Sequence, residues 1–123
     1  TYAYDGNGRL ETATAPGGRV TRYGYDDLGR ANAVTVRDGT GIARTDTTTY
    51  DLVGRVTGVT LAAGAAEETR TAYGYDPVGR AAWVTEASAA AVARNTFFGY
   101  DALGRTTRAV EHFTDGAVTD ATN

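Results

Sequence analysis

Five aspartates in matching surroundings are the residues of this chain whose type and spacing could do chemistry. Each is followed three places later by glycine and four places later by arginine. Carboxylates act as general acids and bases or as calcium ligands, but an active site needs one unique arrangement, and these are copies about one repeat apart. We therefore interpret them as turn-capping residues. They are Asp5, Asp26, Asp51, Asp76 and Asp101.

The other candidates for catalysis or metal binding stand alone. The only serine, Ser88, lacks the Gly-x-Ser-x-Gly surroundings of a hydrolase nucleophile, and no motif surrounds the only histidine, His112. The best calcium-like segment, residues 5–8, has Pro16 where an EF-hand has its bidentate glutamate. Without cysteine there is no thiolate nucleophile or thiolate zinc site. We predict no catalytic residue, no metal site and no cofactor, and hence no enzyme.

The hexapeptide Tyr-Asp-x-x-Gly-Arg occurs five times and organises the chain. Aspartate at the first place and glycine at the fourth place of a four-residue turn favour a type I geometry, whereas the middle pair varies freely. Each copy therefore predicts a tight hairpin turn. The motif residues are Tyr4, Asp5, Gly8, Arg9, Tyr25, Asp26, Gly29, Arg30, Tyr50, Asp51, Gly54, Arg55, Tyr75, Asp76, Gly79, Arg80, Tyr100, Asp101, Gly104 and Arg105.

The residues around each hexapeptide follow the alternation of β-strands. An aromatic residue stands two places before the motif tyrosine in four copies, with Thr48 as the exception, and a small or branched apolar residue stands four places after each arginine. The pattern predicts tandem antiparallel β-hairpins in one continuous all-β sheet, with loops near residues 15–18, 38–43, 62–68, 88–93 and 114–117. The four aromatics are Tyr2, Tyr23, Tyr73 and Phe98.

Composition and charge narrow the function further. The 123 residues are 41% hydrophobic and 22% charged, which is typical of a folded domain, so we predict a single repeat array over residues 1–123. A net charge of −3 argues against nucleic acid as a partner. No apolar stretch approaches the roughly 20 residues that cross a bilayer. Because the chain has no methionine and starts at Thr1 in mid-pattern, we expect it to be a piece of a larger protein.

The repeated hexapeptide resembles the signature of the YD-repeat, or RHS-repeat, family, and residues 4–9 are an especially typical copy. The family includes bacterial Rhs and wall-associated polymorphic toxins, shell subunits of insecticidal toxin complexes, and teneurins. The resemblance implies a sheet that spirals into a secreted or cell-surface shell around a toxin domain. A complete shell in this family takes more than five repeats, and the core that ends it has no counterpart after Arg105. The resemblance therefore implies that this chain is one segment of the shell wall.

Three functions follow from these observations. The preferred one is a structural segment that encloses or displays a toxin or other cargo, with neighbouring YD repeats of the same or other chains as its partners. The first alternative is a carbohydrate or cell-surface binding module, in which Tyr2, Tyr23, Tyr73 and Phe98 stack on glycans. The second is a self-assembling wall or filament unit, because an isolated hairpin sheet has two open edges.

Overall fold

The chain is an all-β protein, which confirms the predicted fold class. The computed structural model describes residues 1–39, 41, 43–89 and 91–114, and no helix occurs in these ranges. The strands are β1 (Tyr2–Tyr4), β2 (Leu10–Thr14), β3 (Val20–Tyr25), β4 (Ala31–Arg37), β5 (Ala43–Tyr50), β6 (Val56–Leu61), β7 (Thr69–Tyr75), β8 (Ala81–Ser88), β9 (Ala91–Tyr100) and β10 (Thr106–Thr114).

The ten strands form one antiparallel sheet in chain order, from β1 to β10. Connections this short allow a strand to pair only with its neighbour in sequence, so the sheet is a plain meander. The hexapeptides form one long edge, here called the hexapeptide edge, and the variable connections form the other, the connection edge. The connection predicted at 88–93 is shorter than expected, because β8 runs to Ser88 and β9 begins at Ala91. Most of the connection predicted at 114–117 lies outside the described residues.

Every hexapeptide hairpin carries a β-bulge at the same place. In the second hairpin Gly24 pairs with Ala33 and Tyr25 pairs with Ala31, so that Asn32 is an extra residue on the returning strand. Bulges bend a strand and increase its right-handed twist, and five in equivalent positions impose the same bend on each hairpin. The extra residues are Glu11, Asn32, Thr57, Ala82 and Thr107.

The sheet has two chemically different faces, because side chains alternate along each strand. One face, here called the tyrosine face, carries Tyr23 opposite Val34 and Tyr73 opposite Val84. The opposite face carries mainly small residues and threonines. There Trp83 lies across Gly74: a Cβ added to this glycine would sit 1.9 Å from the indole Nε1. Glycine at that position therefore makes room for the one tryptophan ring to lie flat on the backbone.

Very little of the molecule is buried. The buried residues of the described chain are Ala62, Thr85, Ala93 and Asn95, and the Thr85 hydroxyl donates to Asn95 Oδ1 at 2.6 Å. The accessible surface is 8256 Å², whereas a compact monomer of this mass exposes about 6,300 Å². A single-layer sheet without a second layer explains the difference, and it means that contacts between neighbouring hairpins must supply the stability that a core normally provides.

Candidate functional site

Each hexapeptide folds into the same turn, and its aspartate organises the backbone. In the second copy the Asp26 N–H donates to the Arg30 carbonyl and the Gly29 N–H donates to the Asp26 carbonyl, both at 2.9 Å. Asp26 Oδ1 then accepts from the backbone N–H groups of Leu28 and Arg30, at 3.0 and 2.9 Å. Gly29 has a backbone φ of +80°, a conformation that residues with a Cβ adopt only with steric strain.

The second oxygen of each aspartate holds the arginine of its own hexapeptide. Arg30 Nε donates to Asp26 Oδ2 at 2.6 Å, and the other four copies repeat this ion pair at 2.7 Å. Partial burial opposes ionisation of Asp26, but hydrogen bonds from the Arg30 backbone and guanidinium outweigh it, so the pKa of this carboxyl is lowered. The pKa of the other four hexapeptide aspartates is lowered as well. The carboxylate is therefore a fixed support for the arginine rather than a proton donor.

The arginine that this aspartate holds reaches across to the next hairpin. Its guanidinium carbon lies over the ring of the following motif tyrosine, within the range of a cation–π interaction. The four described contacts are Arg9 over Tyr25, Arg30 over Tyr50 and Arg55 over Tyr75, each at 4.6 Å from the ring centroid, and Arg80 over Tyr100 at 4.4 Å.

The same tyrosine closes the contact with a hydrogen bond in the reverse direction. The Tyr75 hydroxyl donates at 2.6 Å to the carbonyl of Val56, the residue that follows Arg55. The other copies use the equivalent carbonyls at 2.6–2.8 Å. Aspartate, arginine and the next tyrosine thus form one unit at every junction between hairpins. We call the row of these units the Asp-Arg-Tyr ladder.

The ladder is open at both ends of the described sheet. The Arg105 side chain is 73% exposed, whereas its four counterparts are 27–38% exposed under their tyrosines. At the opposite end, the ring of Tyr4 has no arginine of a preceding hairpin beside it in the described chain, and the residue is 61% exposed.

An arginine beside a turn is expected to hydrogen-bond neighbouring carbonyls or to pair with a carboxylate on an adjacent hairpin. The carbonyl contact is present in the second copy, where Arg30 Nη1 donates to the Asp51 carbonyl of the next hairpin at 2.9 Å. The ion pair instead forms within the hexapeptide, and the contact with the next hairpin that recurs along the ladder is the one with the tyrosine ring. The fixed Tyr-to-Arg spacing within the motif could not reveal this, because the partner tyrosine belongs to the next repeat.

The four aromatics proposed for glycan stacking do not form a uniformly exposed row. Tyr2 is 68% exposed, whereas Tyr23, Tyr73 and Phe98 are half-buried beside their cross-strand neighbours. Their role in glycan binding stays a prediction.

The residues considered for catalysis are not brought into a common site. Ser88 pairs with Thr69 at the end of β8, and His112 is exposed on β10 opposite Asn95. Within the ranges that the structure describes, no three His, Cys, Asp or Glu side chains converge as metal ligands would.

One feature of the hexapeptide edge was missed by sequence reasoning. The fourth motif position, which was interpreted as free, is leucine or valine in four of five copies and asparagine (Asn7) in the first. These side chains form an exposed apolar row along the turn tips, together with Leu52, which is 97% exposed. Comparing the copies column by column would have found it. The row consists of Leu28, Val53, Val78 and Leu103, each 69–79% exposed.

Comparison with known proteins connects this geometry to a family. The family model described as RHS Repeat matches residues 1–41, which span β1 to β4 and the first two hexapeptides. No curated protein matches the chain. Among the described residues there is no helix of the length and apolarity that crossing a membrane requires.

Proposed function

We propose that this chain, a member of the RHS-repeat family by the repeats at residues 1–41, is a structural wall segment that encloses or displays a separate toxin or cargo domain. The observation that carries the proposal is the Asp-Arg-Tyr ladder. In its four complete copies, the arginine of one hexapeptide and the tyrosine of the next join two neighbouring hairpins. RHS repeats are a structural family, and we infer that this segment has no catalytic activity of its own.

The physical logic is that of a repeat protein. Each hairpin contacts its neighbours alone, so the stability of the array is a sum of hairpin and junction contributions. A sheet built this way grows by adding identical junctions and needs no central core, which suits a thin wall. The large accessible surface supports this role, because a wall that surrounds or carries another domain offers its faces to that domain.

The location and partners follow from the same proposal. RHS repeats are typically extracellular or associated with the cell surface, and we place this segment in a secreted or surface-displayed protein. Its immediate partners are adjacent YD repeats. We further propose a toxin domain, enclosed by the wall, as a partner. Neither DNA nor RNA is expected to bind, given the net charge of −3.

Breaking one central junction tests the wall function. Arg55→Gln removes the cation over Tyr75, together with the ion pair to Asp51 in its own turn. We expect hydrogen exchange at the β6 and β7 amides to accelerate at least fivefold, because a lost contact of about 1 kcal/mol lowers the opening free energy by that amount. The exposed Arg37 offers a matched control, Arg37→Gln. Equal exchange in the two variants would mean that the ladder does not join the hairpins, and the wall proposal would lose its support.

Carbohydrate binding is a second candidate, favoured by the exposure of Tyr2 and Tyr4. These rings are 68% and 61% exposed on the same face of β1, about 7 Å apart along the strand. A glycan screen of the chain, repeated with Tyr2→Ala, tests it. Binding that the substitution abolishes would support this function; a blank screen, or binding that survives the substitution, would remove it.

A further inference from the structure

We propose that a groove across β2, β3 and β4, on the face opposite the tyrosine face, binds a carboxylate side chain of an acidic peptide segment. The site is separate from the Asp-Arg-Tyr ladder and does not depend on the wall function. The groove has a volume of about 240 Å³. It is lined by Thr12, Val20, Arg22, Thr35 and Arg37.

The register of the strands brings the two arginines of this groove together. Arg22 pairs with Thr35, and Val20 pairs with Arg37, so the arginines are diagonal neighbours on one face of β3 and β4. Residues in such positions are about 7–8 Å apart, which lets two long side chains reach one ligand between them. The hydroxyl groups of Thr35 and of Thr12, which lies opposite Arg22 on β2, add hydrogen-bonding groups beside them.

The charges of the groove do not balance. Arg22 Nη2 donates to Glu11 Oε1 at 2.9 Å, but the Arg22 side chain is still 68% exposed, so part of its guanidinium is open to a further acceptor. Arg37 is exposed and has no ion pair within the described chain. Two positive charges therefore face one negative charge. Because the whole chain has a net charge of −3, this excess is local.

The other arginines on the strands indicate which group completes the groove. Four described arginines outside the hexapeptides each hold a carboxylate, and a carboxylate from another molecule would give Arg37 the same kind of partner. The groove is smaller than the roughly 300–1,000 Å³ of small-molecule sites, so its volume suits a single Asp or Glu side chain. The four pairs are Arg22–Glu11, Arg44–Asp46, Arg70–Glu68 and Arg94–Glu86.

A second groove, on the tyrosine face of the same hairpins, provides an internal contrast. It is lined by Arg19, Val36, Asp38 and Arg44. Asp38 lies within this groove, and Arg44 Nε donates to Asp46 Oδ1 at 3.0 Å. Its two arginines are thus matched by two nearby carboxylates, and we expect no acidic ligand there. Arg19→Gln therefore removes the same charge as Arg37→Gln from the same region and leaves the proposed site intact.

Titration of the full chain with the capped peptide Ala-Glu-Ala-Glu-Ala tests the groove. NMR spectra of the backbone amides and arginine Nε–H groups locate the peptide, at low ionic strength because salt screens exposed ion pairs. We expect saturable binding in the millimolar range that shifts the signals of Arg22 and Arg37. The matched peptide with glutamine in place of both glutamates should not bind. Arg37→Gln should weaken binding about fivefold, as expected for loss of one exposed ion pair, and Arg19→Gln should bind like the original chain.

Removing the carboxylate that the groove already contains should have the opposite effect. Glu11→Gln frees the Arg22 guanidinium, so the acidic peptide should bind about threefold more tightly. Glu67→Gln is the matched control, because it makes the same change of net charge at an exposed position in the connection after β6. It should leave the affinity unchanged. The NMR spectrum of each variant also shows whether it is folded.

Several results would overturn the proposal. They are the absence of saturable shifts at millimolar peptide, equal binding of the glutamine peptide, equal affinities of the Arg37→Gln and Arg19→Gln variants, and shifts centred on Arg19 and Arg44. Inorganic phosphate that binds more tightly than the peptide would also overturn it, because the groove would then be a site for a different anion. Hydrogen exchange at β6 and β7 in Arg55→Gln tests the wall function separately from all of these outcomes.

Discussion

The two long edges of the sheet are built on different principles. The hexapeptide edge repeats one set of contacts five times, from the aspartate-capped turn to the arginine that it holds. The connection edge is irregular: its first turn repeats the backbone hydrogen bonds of the hexapeptide turns, with Ala15 in place of the aspartate, and the later connections use contacts of their own. In the loop after β6, Ala62 has φ of +53°, and its N–H donates to Asp46 Oδ1 at 2.8 Å. The hexapeptide edge therefore supplies the contacts that recur at the junctions between hairpins, whereas the loops of the connection edge differ from one another in their contacts.

The two edges also differ in how their charges reach across the sheet. On the hexapeptide edge an ion pair within one hairpin supports a ring contact with the next, so each turn contributes to a junction. On the connection edge the charges follow no common pattern: Glu68 holds Arg70 at 2.5 Å and the Gly64 N–H at 2.6 Å within one connection and the strand that follows it, whereas Arg94 pairs with Glu86 across β8 and β9. Damage to a hexapeptide turn should therefore reach the next hairpin in every copy, whereas the effect of damage on the connection edge should differ from one connection to the next.

Acid should give the largest effect, because it acts on all five hexapeptides at once. The pKa of each hexapeptide aspartate is lowered from its usual value of 3.8, mainly by hydrogen bonds from its arginine that outweigh partial burial. A lowered folded-state pKa contributes stability that is complete above about pH 4 and is lost as the pH falls through the folded-state pKa. Thermal unfolding followed by circular dichroism from pH 7 to pH 2 should show a falling midpoint below pH 4.

A single-residue control separates the two edges in this experiment. Asp46 on the connection edge also has a lowered pKa, chiefly through the hydrogen bond from the Ala62 backbone. Asp46→Asn should therefore remove a small part of the acid sensitivity and leave most of it. If that one substitution abolished the acid effect, the repeated edge would not be its source.

Glycine at the last turn position should give the next largest effect. Gly79 has φ of +88°, and an added Cβ would lie 3.4 Å from Arg55 Nη1 of the preceding hairpin. Gly79→Val should lower the free energy of unfolding by about 2 kcal/mol, because a branched side chain is strained in the left-handed region. Denaturant titration measures the loss. Gly6→Ala is the matched control in the first turn, since it has ordinary φ and open space, and it should cost almost nothing.

The apolar turn tips should give the smallest effect. Leu103 is 79% exposed, and Asn7 occupies the equivalent position in the first hexapeptide. Leu103→Asn should change the free energy of unfolding by less than about 0.5 kcal/mol, as surface substitutions normally do. Denaturant titration decides this as well. A loss near that of Gly79→Val would mean that the row packs against the fold and that the comparison between turn backbone and turn tip is wrong.

The hairpins could be predicted from the sequence because residues close together in the chain specify them. Asp, Gly and the alternating aromatics are sufficient to predict turns, strands and an all-β sheet, and each strand pairs with its chain neighbour. The cover of Gly74 by Trp83 and the arginine-to-tyrosine contacts involve partners nine or more residues away whose approach depends on register. A bulge shifts that register by one residue at every hairpin, and no residue type in the sequence predicts the bulge.

The central claim is that arginine and the next tyrosine join adjacent hairpins energetically, and a double-mutant cycle at one junction tests it most directly. Free energies of unfolding are measured for the original chain, Arg55→Gln, Tyr75→Ala and the double variant. We predict a coupling energy of about 1 kcal/mol between the two positions, as expected for a partly covered cation–π contact. A coupling energy of zero, with the two single losses adding in the double variant, would contradict the claim.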